Sequence, residues 1–111
     1  LEIFKALSEE TRFRIIHILM NAKEEICECD IAEILNIPQY NISRHIKLLS
    51  RTGMINKRKE GRWTYFSLSD SLDEFKSILI HSLSHIQNDL TSRDIAKLNK
   101  FFQTTNGNRC N

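Results

Sequence analysis

The chain has 111 residues, 41% of them hydrophobic and 27% charged, which is enough for one compact domain with a modest core and too little for two ordinary ones. It has neither a run of about 18 apolar residues nor a basic, apolar leader, so no membrane span and no secretory signal are expected, and the expected compartment is the cytoplasm. The formal net charge of +2 is unevenly spread: residues 1 to 37 carry four basic and eight acidic side chains (−4), residues 38 to 62 seven and one (+6), and residues 63 to 111 five and five (0). A basic block inside a balanced chain is the electrostatic footprint of a nucleic-acid-binding face. Three cysteines are too few, and an odd number, for a disulfide framework.

The segment LEIFKAL predicts a short apolar helix over residues 1 to 7. Ser8 then offers an N-cap, with Glu9 and Glu10 in the first turn of a second helix, where the helix dipole favours acids. Phe13, Ile16 and Met20, with Ile15 and Leu19 beside them, recur at helical spacing as far as Asn21. His17, alone among these apolar neighbours, reads as a core-edge residue. A short third helix is expected from about Asp30 to Asn36, with Ile31, Ile34 and Leu35 as its apolar stripe.

In IPQYNISRHIKLLSRTG, Pro38 suits the first turn of a fourth helix and Gly53 the position just past it. Ile42, Ile46 and Leu49 form its buried stripe, while Gln39, Tyr40, Ser43, Arg44, Lys47 and Arg51 share the outward face. Two helices joined by a few residues, the second presenting cations, make a helix-turn-helix pattern. The period then changes to two in MINKRKEGRWTYFSLS, which predicts a β-hairpin turning at Glu60-Gly61 with a basic tip. From Ser71 to about Phe102 the pattern is helical again, with a break expected at Leu90-Thr91-Ser92. The tail QTTNGNRCN has no apolar periodicity and is expected to be mobile.

The stretch EICECDIAEIL places Cys27 and Cys29 one residue apart. On an ideal helix residues two apart point about 200° away from each other, whereas in extended backbone they fall on one side. Joint ligation of one soft ion therefore competes with the start of the third helix, a candidate switch. Two other readings stand beside it: a pair of small, partly buried thiols, and a redox pair that forms a disulfide with Cys110 or takes up sulfur. An enzyme is not expected, since the chain has no phosphate loop, nucleophile–base pair or catalytic metal triad, and lacks the Cys-x-x-Cys of thiol oxidoreductases.

The motifs KALSEETRFRIIHIL, EICECDIAEIL, NISRHIKLLSRTGMI and KEGRWTYFSLS, in this order, resemble the ArsR/SmtB family of metalloregulatory repressors over nearly the whole chain, and the Cys-x-Cys-Asp motif resembles its arsenic-responsive subgroup. The resemblance implies a mainly α winged helix-turn-helix with a small β-hairpin, dimeric, occupying residues 1 to 102 with a flexible tail, 103 to 111, that carries Cys110. It implies a cytoplasmic homodimer that binds double-stranded operator DNA and dissociates on binding As(III) or Sb(III), with Cd(II) or Pb(II) as further candidates and no organic cofactor. The expected ion ligands are Cys27, Cys29 and Cys110, because Ala32 stands where archetypal members of the subgroup carry a third nearby cysteine.

Gln39, Tyr40, Asn41, Ser43 and Arg44 lie near the N-terminal end of the recognition helix, the part that meets base edges. Lys47 and Arg51 are placed for phosphates, and Lys57, Arg58, Lys59 and Arg62 on the wing for backbone or minor groove. His45 belongs to the same motif and either touches DNA or holds the helix in place. A solvated basic face is the competing reading. A second family site, for zinc, is incomplete: His81 and His85 are present, the Asp-x-His is not, and Asn88 replaces a glutamate, so the two histidines read as polar residues of the dimer helix. Two rivals to the arsenic reading remain, a redox- or sulfide-sensing repressor using the same cysteines and a winged-helix protein-interaction module without sensing.

Overall fold

The computed structural model describes residues 1 to 105. Helices α1 (Glu2–Leu7) and α2 (Glu10–Asn21) open the chain. Ser8 closes α1 instead of capping α2: its Oγ donates to the Lys5 carbonyl at 2.8 Å. Glu9 takes the N-cap, its carboxylate accepting the N–H groups of Thr11 and Arg12 at 3.1 Å each. Burial works to raise the Glu9 pKa, but those two backbone bonds and the charges of His45 and Arg12 prevail and hold it below its ordinary value.

After the Ala22–Glu25 loop comes a two-residue strand, β1 (Ile26–Cys27), then α3 (Glu28–Leu35), which starts two residues earlier than expected. Asn36 ends α3 in the left-handed region (φ 56°), where asparagine is tolerated, and its N–H and that of Ile37 reach back to Glu33 (3.2 Å) and Ala32 (3.0 Å). Pro38 is the N-cap of α4 (Gln39–Ser50), one position before the first turn assigned to it from sequence. The expected stripe of α4 is buried: Ile42 and Leu49 are fully enclosed and Ile46 nearly so. Gly53, with φ 76°, turns the chain out of α4.

Strands β2 (Ile55–Glu60) and β3 (Trp63–Leu68) form the expected hairpin, with Gly61 at φ 60° in its turn. The turn is Gly61-Arg62, one residue later than expected. Strand β1 adds to the free edge of β3, pairing Ile26 with Phe66 and Cys27 with Tyr65, so the antiparallel order is β1-β3-β2. Helices α5 (Glu74–Leu83) and α6 (Asp89–Thr105) complete the described chain. The break between them falls at residues 84 to 88, before the expected Leu90-Thr91-Ser92, because Asn88 Oδ1 accepts the Thr91 N–H (2.9 Å) while Thr91 Oγ1 accepts the Asn88 N–H (2.9 Å). This reciprocal box starts α6, so Thr91 builds a helix where it was expected to end one. Residues 103 to 105, assigned to the tail from sequence, belong to α6, and Cys110 lies outside the described residues.

The core joins α2, α3, α4, the sheet and α6 through Ile15, Ile26, Ile31, Met54 and Leu98, all fully buried. A buried ion pair fixes its frame. Arg14 of α2 grips Asp94 of α6 with Nε and Nη2, each at 2.9 Å, and Nη2 also donates to the Leu35 carbonyl at the end of α3 (3.0 Å). The hydrogen bond to Asp94 leads the causes that raise the Arg14 pKa. His17 is 5% exposed, its Nδ1 has no hydrogen-bond partner, and burial lowers its pKa. Among the described residues no helix is long and apolar enough to cross a membrane.

Asp94→Ala leaves the Arg14 guanidinium buried and uncompensated, and urea unfolding is expected to show a loss of about 3–5 kcal/mol. Because the folded pKa of His17 lies below its ordinary value of 6.5, the unfolded chain binds the proton first as pH falls. Thermal stability is therefore expected to drop between about pH 7 and pH 5, and by less in His17→Leu.

Candidate functional site

The two cysteines meet at the junction of β1 and α3. Cys27 is extended, with ψ 148°, as the last residue of the strand and N-cap of the helix, while Cys29 sits in the first turn of α3. Their Sγ atoms are 3.2 Å apart with α3 formed, so the approach of the two sulfurs does not itself require the helix to open. The opposed directions of an ideal helix do not apply, because only Cys29 is helical. One soft ion at the usual metal–thiolate distance of about 2.3 Å can touch sulfurs so placed. The Asp30 carboxylate belongs to the same group, with ligand atoms of Cys27, Cys29 and Asp30 all within 4.8 Å of one another. Asp30 stands in the Cys-x-Cys-Asp motif but is not among the ligands expected from the sequence. Cys27 packs with Tyr65, and Cys29 and Trp63 lie against the pair, so the cysteine site rests on the wing strand.

Two glutamates beside the cysteines reach into the basic elements. Glu28 Oε2 accepts hydrogen bonds from Ser43 Oγ (2.7 Å) and Gln39 Nε2 (3.2 Å) of α4. Glu25 accepts from Arg58 Nε at 2.8 Å and also from Nη2, while Glu60 accepts from Arg58 Nη1 at 2.6 Å. The Arg58 guanidinium also lies 4.6 Å from the Tyr65 ring centre, across the strand pair. Its hydrogen bonds to Glu25 and Glu60 raise its pKa, in that order of size.

The expected DNA-contacting residues differ in exposure. Gln39, Tyr40, Arg44, Lys47 and Arg51 on α4 and Lys57, Arg58, Lys59 and Arg62 on the hairpin are exposed; Arg44 lies over the Tyr40 ring at 5.8 Å and Arg62 over Trp63 at 5.1 Å. Asn41, Ser43 and His45 are half-buried. Ser43, Gln39 and Arg58 hold acidic partners near the cysteines, as described. His45 turns toward α2: its Nδ1 lies 3.0 Å from Arg12 Nη1 and 3.6 Å from the Glu9 carboxylate, the arrangement of a side chain that holds α4 in place.

Arg12 was not singled out from sequence, since nothing in the helical period of α2 distinguishes it. It lines a groove of about 330 Å³ together with Arg44, Lys47 and Arg51, a setting suited to a phosphate. A larger cavity of about 500 Å³, bordered by His17, Asn21, Gln87, Thr91 and Asn99, holds none of the expected site residues. His81 and His85 are exposed and stack edge-to-face with ring centres 5.3 Å apart.

Residues 9 to 57 match the family described as bacterial regulatory protein, arsR family. The chain is 41% identical to a cadmium resistance transcriptional regulatory protein CadC homolog of Staphylococcus aureus, over 62% of this chain and 56% of that protein. It is 35% identical to the arsenical resistance operon repressor of Escherichia coli K12, over 72% of this chain and 68% of that one. Among solved structures, HlyU from Vibrio cholerae N16961 superposes with a TM-score of 0.60 at 28% identity, covering 74% of this chain and 87% of that one.

Proposed function

The chain belongs to the ArsR family of helix-turn-helix transcriptional repressors, which are regulators and not enzymes, and on that premise we propose that it is released from its operator by a thiophilic ion bound at Cys27 and Cys29. The observation that carries this reading is the pair of sulfurs 3.2 Å apart against the wing strand. Soft thiolates select soft ions. As(III) and Sb(III), which prefer three thiolates, are the proposed inducers, with Cys110 the proposed third sulfur. A second reading, Cd(II) or Pb(II), is favoured by the Asp30 carboxylate within the same group of ligand atoms and by the resemblance to a cadmium regulator.

Regulators of this family bind operator DNA. For this chain the proposed base-reading residues are Gln39, Tyr40, Asn41, Ser43 and Arg44, and the proposed phosphate contacts are Lys47, Arg51, Lys57, Lys59 and Arg62. The proposed working form is a cytoplasmic homodimer joined through α1 and α5. This is supported by an exposed apolar face on those helices, where Phe4 and Phe75 meet edge-to-face at 6.0 Å and Ile78 is 58% exposed.

Operator-binding anisotropy in reductant tests both halves. Arg44→Ala is expected to reduce operator affinity by about 1–3 kcal/mol more than it reduces affinity for random duplex, whereas Lys59→Ala weakens both alike. Equal losses for Arg44→Ala on the two duplexes would remove its base-reading role. Arsenite or cadmium is expected to release the wild type but neither Cys27→Ser nor Cys29→Ser, and the more effective ion identifies the inducer. Release by an oxidant alone, reversed by dithiothreitol, would replace the ion with a redox signal.

A further inference from the structure

Glu28, the residue between the two cysteines, holds the α4 residues proposed to read bases. Ser43 and Gln39, which donate to its carboxylate at 2.7 and 3.2 Å, are four residues apart and so share one face of α4. The same carboxylate borders a cleft of about 130 Å³ lined by Lys47 and Ser50 of α4 and by Lys57 of β2. It thus occupies the only donor of the Ser43 hydroxyl and one amide donor of Gln39, and sets a negative charge among cations suited to phosphate. A base edge that needs these donors, and a phosphate backbone that approaches these cations, must both compete with it.

We propose that Glu28 is a positioning residue that withholds Ser43 and Gln39 from DNA, and that an ion on its two neighbours, Cys27 and Cys29, fixes it in that position. Withholding requires no ion. The second half rests on the thiolate-sensing reading above. Glu28 is the first residue of α3 and has a cysteine on either side, so an ion that touches both sulfurs holds the backbone around it in the arrangement from which its carboxylate reaches α4. DNA binding, which requires Glu28 to let go, weakens ion binding by the same factor.

Wild type, Glu28→Ala and Glu28→Gln are compared by operator anisotropy with and without cadmium or arsenite. The ultraviolet thiolate-to-cadmium charge-transfer band of the DNA-free protein reports ion binding, and a thermal melt of each variant reports folding. Without ion, both variants are expected to bind operator more tightly than wild type, Glu28→Ala by roughly fivefold; in saturating cadmium, the factor by which the ion weakens operator binding is expected to shrink by roughly tenfold. Unchanged ion-free affinity in both variants overturns the withholding role. A full-sized cadmium effect in a variant with tightened ion-free binding overturns the fixing of Glu28 by the ion. Loss of the charge-transfer band in Glu28→Ala would make Glu28 part of the ion site and overturn the positioning role. A wild type that ignores both ions defeats the thiolate-sensing reading instead, and the ion-free comparison then decides the role of Glu28 alone. If Glu28→Ala fails to fold, Glu28→Gln, of equal size and without charge, carries the comparison.

Discussion

The geometry of this protein depends on the pairing of two backbone residues, Ile26 and Cys27, with Phe66 and Tyr65 of the wing. A strand this short has no stability of its own and exists because β3 offers it an edge. Successive residues of a strand face opposite sides, so Ile26 enters the main core while Cys27 joins Tyr65 in a separate small cluster. The strand ends where α3 begins, which makes Cys27 an extended N-cap and Cys29 a first-turn residue. Convergence of the sulfurs, contact with the wing and placement of Glu28 over α4 all follow from that one junction.

The junction stands at the start of a short helix that is held at both ends. Helix α3 is eight residues long, and its last carbonyl is held by Arg14, which is itself clamped to Asp94. The C-terminal end of α3 is thus tied to α2 and α6, while its N-terminal end carries the two cysteines. The start of α3 touches the two halves of the basic surface by different means: carboxylate hydrogen bonds to α4, and strand pairing with aromatic packing to the hairpin. His45, held by Arg12 and Glu9, ties α4 to α2 on its other side.

Much of this was legible in the sequence because long apolar periods are averaged over many residues. The buried stripe of α4, the cationic outward face and the basic hairpin follow from spacing and charge, and tertiary packing supports each. The misplaced features are those decided by one or two side chains. Ser8 and Glu9 are both competent at the boundary of α1 and α2, and only the geometry of Thr11 and Arg12 selects Glu9. Thr91 looked like a helix breaker until its partner Asn88 was known. Strand β1 has no period at all in two residues, and its partners lie 38 and 40 positions further on. At the candidate site the cysteines and the basic positions were evident from residue type. The role of Glu28 was not, since an acid in the first turn of a helix already has an explanation in the helix dipole.

The ion pairs of Arg58 bear on how this surface would respond to salt. A bare cation that meets a phosphate displaces a condensed counterion from DNA, and that release makes affinity fall as salt rises, by about 0.9 in the logarithmic slope per phosphate. Arg58 is already neutralised by Glu25 and Glu60. A phosphate that takes its charge from these carboxylates leaves them to gather cations from solution, so ions are taken up on one side as they are released on the other. Its contribution to the polyelectrolyte effect largely cancels. With the contacts proposed above, the salt slope of a complex that uses this wing would be set by Lys57, Lys59, Arg62 and the α4 cations, shallower by about one phosphate than the seven positive charges of residues 38 to 62 imply.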